Sequence, residues 1–110
     1  MVENYYHSES TKNLRKLRQL KPDLFASFAE FDKKVFEEST LSIKIKELIA
    51  IAAAHITQCP FCINAHTKRA KKAGASDGEV AEAIFVAMAL GAGASFAHGA
   101  LAMQATEQEG

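Results

Sequence analysis

The chain has 110 residues, enough for one domain spanning 1–110 and too few for two. Thirteen Lys and Arg balance thirteen Asp and Glu, which excludes both the basic excess of a nucleic-acid binder and an acidic solvating tail. At 48% hydrophobic and 24% charged the composition excludes general disorder, and abundant Ala, Leu, Ile, Lys and Glu with only two prolines favour helix over sheet.

In chain order the pattern predicts six helices and no strand. The first covers about 10–20, with Leu14, Leu17 and Leu20 at helical spacing. Pro22 suits the first position of a second helix reaching about residue 38. Its Leu24, Phe25, Phe28, Phe31, Val35 and Phe36 recur at threes and fours. Ser42 is placed to cap a third helix through about Thr57, with Ile45, Leu48, Ile49, Ala52 and Ala53 on its buried side. A fourth begins with Cys59 as cap and Pro60 as first helical residue, and ends at Gly74 after a basic run. Ser76-Asp77-Gly78-Glu79 fits a capping box opening a fifth helix over about 77–90. Gly91-Ala92-Gly93 marks a kink or break before a sixth, about 94–107. The expected class is all-α, a compact helical bundle of about six helices.

The last third is almost all Ala, Gly, Met, Phe and Leu. A helix apolar all round must be buried, and in so small a domain one way is against another subunit, so an oligomer is expected. The start of the chain has no apolar signal-peptide core, and the apolar stretch at 49–56 is too short to cross a bilayer. A cytoplasmic protein without membrane contact is expected.

The two cysteines stand together in Cys59-Pro60-Phe61-Cys62. In a reducing compartment such a pair is more often catalytic or metal-binding than structural, and bridging it closes too small a loop to add much stability. At a helix N-terminus the dipole and free N–H groups favour the thiolate, the nucleophilic form. His66 lies four residues beyond Cys62, on the same helix face one turn along, where an imidazole can take a thiol proton or stabilise a thiolate. Glu47 stands among Ile45, Leu48, Ile49 and Ile51, where a carboxylate either faces solvent or has a buried partner; paired with His66 it would orient the ring. His55 either lines the thiol pocket or caps a helix end, and His98 reads as a core histidine bonded to backbone. His7 carries no visible role, and Lys68, Arg69, Lys71 and Lys72 form a solvated basic face.

Glu47, Cys59, Cys62 and His66 give the pattern E-x11-C-x2-C-x3-H. With Lys46-Glu47-Leu48-Ile49-Ala50 before it and Ala65-His66-Thr67-Lys68 within it, this resembles the alkyl hydroperoxidase D-like branch of the carboxymuconolactone decarboxylase superfamily over about 41–105. The resemblance implies an all-helical enzyme that assembles as a homohexamer or a homotrimer. It would act as a thiol-dependent peroxidase or disulfide reductase in antioxidant defence, without cofactor or metal. Its partners would be a peroxide and a thiol reductant or peroxiredoxin-type protein. Carried over by position, Cys59 and Cys62 resemble the redox pair, and His66 and Glu47 the proton relay. Alkyl hydroperoxidase D proper has a histidine between its cysteines where this chain has Phe61, which implies a shorter relay. The decarboxylase branch lacks the cysteine pair, so lactone decarboxylation is not expected. Two other readings stand beside this one. His55, Cys59, Cys62 and His66 supply a ligand set for structural zinc, although all fall within twelve residues. The chain could also be a structural oligomer with idle thiols.

Overall fold

The computed structural model describes residues 8–108; His7 lies outside them. Among the described residues there are five helices and no strand: α1 (Ser8–Leu20), α2 (Pro22–Val35), α3 (Ile43–Thr57), α4 (Pro60–Lys72) and α5 (Asp77–Glu107). The all-α expectation holds, with one helix fewer than the sequence predicts.

Local chemistry sets the starts of the last three. Ser42 is extended and its hydroxyl accepts from the Ile45 N–H at 3.2 Å, capping α3. Cys59 caps α4 through its sulfur, which accepts from the Cys62 N–H at 3.2 Å, and Pro60 follows as first helical residue. At α5 the Ser76 hydroxyl accepts from the Glu79 N–H at 3.0 Å, and the Glu79 carboxylate accepts from the Ser76 N–H at 2.9 Å. Both reciprocal bonds of the capping box are present. Gly74 lies after the end of α4 with φ +97°, a left-handed conformation that costs glycine little, and Ala75 N–H returns to the Ala70 carbonyl at 2.9 Å.

Three expectations about where helices end and which faces they bury are corrected. Gly91-Ala92-Gly93 does not break the chain, and α5 runs unbroken for 31 residues. Glycine lowers helix propensity by about 1 kcal/mol but keeps its N–H, so neighbouring alanines carry the helix through. The second helix ends at Val35 rather than at residue 38, for a tertiary reason. Continuing it would direct the Ser39 N–H to the Val35 carbonyl; instead Ser39 donates to Leu41, and the Lys46 ammonium takes the Val35 carbonyl at 2.7 Å. The third correction concerns α3, whose buried residues are Glu47, Ile51 and Ala54, while Ile45, Ile49 and Ala53 stay open to solvent.

The core is small: Ile51, Ala70 and Ala75, with Leu48, Val80 and Ile84 packed around them. It sits where α3, α4 and the first turns of α5 meet. Lys44 of α3 and Glu79 of α5 close one side with an ion pair at 2.9 Å. The Glu79 carboxyl is held below its ordinary 4.5 by the Ser76 N–H first and then by Lys44; Lys71 likewise holds the Asp77 carboxyl low.

Beyond this core the chain is elongated rather than compact. Its radius of gyration is 18.6 Å, against about 13 Å for a compact chain of this length. The apolar side chains of α1 and α2, including Leu17, Leu24, Phe28 and Phe31, are exposed, and so is the outer half of α5, where Phe96 is 88% exposed. His98 lies there too. Its Nδ1 meets the Ala94 carbonyl at 3.2 Å, but the ring is exposed, which corrects the expectation of a core position. The unbroken α5 is also longer than the apolar stretch at 49–56: by length and composition alone it is long and apolar enough to cross a bilayer. The same small-residue composition suits close packing between helices.

Candidate thiol site

The turn between α3 and α4 places the cysteines. Gln58 adopts a left-handed conformation, φ 58°, and Cys59 N–H then bonds back to the Ala54 carbonyl at 3.1 Å. This sharp reversal sets the α4 mouth beside the end of α3. Cys59 and Cys62 are joined as a disulfide with Cα atoms 5.2 Å apart, within the usual span.

One turn along α4, His66 meets Glu47 of α3. The Nδ1–H of His66 donates to Oε1 of Glu47 at 2.6 Å, across nineteen residues of sequence. Glu47 is 2% exposed, the buried carboxylate of the core. Because a carboxylate only accepts, the bond sets the ring proton on Nδ1 and leaves Nε2 free. Cys62 and His66 line one cleft of about 500 Å³, whose walls are mostly apolar, with Ile49, Ala50 and Ala53 among them. All four residues singled out from the sequence therefore belong to one neighbourhood. Cys59 caps the helix, Cys62 and His66 face a common cleft, and Glu47 holds the ring from behind.

His55 is not part of this cleft. Its Nδ1–H donates to the Ile51 carbonyl of its own helix at 2.7 Å. Among the described residues no three His, Cys, Asp or Glu side chains cluster as metal ligands. A larger cavity of about 670 Å³ lies on the other side of Glu47, which lines it together with Glu38, Lys44, Arg69 and Lys72, but it holds no thiol. Lys71 pairs with Asp77 at the surface, and the basic residues of α4 face solvent as expected.

Two contacts were not legible in the sequence. The Phe36 ring stacks on His66, centroids 5.0 Å apart at 26°, and Lys46 holds the end of α2. Phe36 reads as one more apolar residue of an amphipathic helix, and no local signal marks it as a neighbour of α4.

Fold and site together define a small all-α protein with a C-x-x-C pair at a helix N-terminus. Residues 22–105 match the carboxymuconolactone decarboxylase family, and the chain belongs to that family. It is 46% identical over 72 residues to a protein of the cox locus of Paracoccus denitrificans, covering 66% of this chain and 65% of that one, just under two thirds of its length. Among solved structures it is similar to a family member of Legionella pneumophila, crystallised in its apo form, with TM-score 0.70, 34% identity and coverage of 90% of this chain and 88% of that one. It is also similar to a family member from Thermotoga maritima, for which an antioxidative role has been suggested. There the TM-score is 0.59 and the identity 34%, with 61% of this chain and 69% of that one covered.

Proposed function

We propose that the chain is a thiol-dependent peroxidase or disulfide reductase of the alkyl hydroperoxidase D-like kind, in which Cys59 and Cys62 cycle between dithiol and disulfide. The observation that carries this reading is the shared cleft of Cys62 and His66, with the His66 ring held by the buried Glu47. The antioxidative role suggested for the Thermotoga maritima relative supports it.

Cys62 is the attacking thiol. Nε2 of His66 takes its proton, and the thiolate attacks one peroxide oxygen. The O–O bond breaks as the S–O bond forms, and the leaving oxygen takes the proton back from His66 as alcohol or water. Sulfur, oxidised by two electrons, is now a sulfenic acid. The Cys59 thiol attacks that sulfur, the S–S bond forms, and the hydroxyl leaves with the thiol proton as water. The sum is one peroxide and two thiols to one alcohol, one water and one disulfide. A dithiol reductant or peroxiredoxin-type partner returns two electrons and two protons by exchange. Glu47 keeps His66 oriented throughout and exchanges no electron. The first sulfur attacked in a disulfide-reductase cycle would be the partner's, by the same Cys62 thiolate.

The protein acts in the cytoplasm, where thiols are kept reduced, and assembles as a homohexamer or a homotrimer. The exposed apolar surface of α1, α2 and α5 supports assembly, since a lone chain would leave it in water. The test is a peroxide-consumption assay with hydrogen peroxide, an organic hydroperoxide and several dithiol reductants, run beside Cys62→Ser. Turnover that depends on reductant and vanishes in the variant is the expected result; equal rates in both proteins would remove the peroxidase.

A further inference from the structure

His66 is held from two directions, and only one of them belongs to the relay. Glu47 takes the Nδ1 edge by a single hydrogen bond. One such bond fixes an edge of an imidazole but leaves the ring free to swing about it. The Phe36 ring lies nearly parallel against one face of His66 and removes that freedom.

Phe36 reaches this place from outside the core. It follows α2, a helix with no buried residue of its own. What fixes it is Lys46, the residue before Glu47 on α3. The Lys46 ammonium donates to the Val35 and Glu37 carbonyls, so the chain is anchored at the residue before Phe36 and at the residue after it. Cation and carbonyls meet at the negative end of α2, where the helix dipole strengthens the bonds. Phe36 and Lys46 both line the cleft that holds Cys62 and His66. Two adjacent residues of α3 thus serve one ring, Glu47 directly and Lys46 through Phe36.

We propose that Phe36 is a positioning residue for His66, clamped by Lys46, and that it closes the Glu47–His66 hydrogen bond to water and aims Nε2 into the thiol cleft. Its value to the chemistry rests on the reading of Cys62 and His66 given above; its effect on the ring does not.

The experiment separates the two. In the full-length chain carrying Cys59→Ser, the His66 Nδ1–H resonance is followed by NMR, and alkylation of Cys62 by iodoacetamide is timed at neutral pH. Phe36→Ala is expected to broaden the Nδ1–H signal into solvent exchange and to slow alkylation by roughly fivefold or more. Phe36→Tyr, which keeps a flat ring, is expected to restore both. Lys46→Met, which keeps the stem and loses the ammonium, should reproduce Phe36→Ala, and the double variant should be no worse than either. Backbone amide shifts of α3 and α4 report whether each variant is folded, and Lys46→Met carries the test if Phe36→Ala is not. A sharp Nδ1–H signal and an unchanged alkylation rate in folded Phe36→Ala or Lys46→Met would overturn the proposal. So would additive losses in the double variant. If these effects appear while the parent protein, with both cysteines, consumes no peroxide, the positioning role stands and the peroxidase reading is lost.

Discussion

Glu47 and His66, on different helices, share a 2.6 Å hydrogen bond at the edge of the core, and Glu47 has almost no contact with solvent. A buried carboxylate is costly to leave without a partner, so the pair is a structural as well as a chemical commitment. Glu47→Ala is expected to destabilise the fold by about 1–3 kcal/mol, because it strands the Nδ1–H of a half-buried ring. Peroxide turnover should fall by about 10²-fold, since an unoriented base loses most of its advantage. Thermal melts and steady-state rates on the same preparation separate the two effects.

The start of α5 predicts a dependence on acid. Glu79 is held below its ordinary 4.5 by the Ser76 N–H and by Lys44. A carboxyl whose folded value lies below its unfolded one stabilises the fold above the unfolded value and loses that contribution as pH falls through the folded one. Glu79→Gln should therefore melt below the parent near neutral pH. The gap should close as pH is lowered from 4.5 through the depressed folded value, and melts across that range read it directly.

Assembly gives a third expectation. Phe96 and Leu101 are largely exposed on the outer half of α5 among the described residues. Light scattering on the parent is expected to give the mass of several chains. Phe96→Asp with Leu101→Asp places two charges on that surface and should reduce the mass to that of one chain. A parent that is already monomeric would remove the oligomer.

The glycines of α5 offer a fourth. Among the described residues, a Cβ at Gly93 meets nothing within 4 Å. In a lone chain Gly93→Ala should stabilise α5 by up to about 1 kcal/mol. If a second copy packs closely there, the same change should lower the assembled mass instead, so melting and scattering together locate the interface.

Much of this fold was legible because its signals are local. Ser42, Cys59 with Pro60, and Ser76 with Glu79 each announce a helix start within four residues, and each cap forms as expected. The geometry of the candidate site was legible for a similar reason, since Cys62 and His66 share a helix face by spacing alone. What escaped depends on contacts between helices. The end of α2 is set by Lys46 from α3, and the inward face of α3 is chosen by Ala70 and Ala75 rather than by its own apolar pattern. Isoleucines and alanines almost encircle α3, so periodicity could not tell which side would be covered. Gly91 and Gly93 misled because glycine's helix propensity is only a weak prior.

The most direct measurement mixes reduced Cys59→Ser protein with an organic hydroperoxide and follows it by mass spectrometry. The expected result is one added oxygen, located at Cys62 and trapped as a sulfenic acid, forming much more slowly when Glu47→Ala is added. Cys62 left unmodified, or oxidised at the pace of an ordinary thiol whether or not Glu47 is present, would contradict the account.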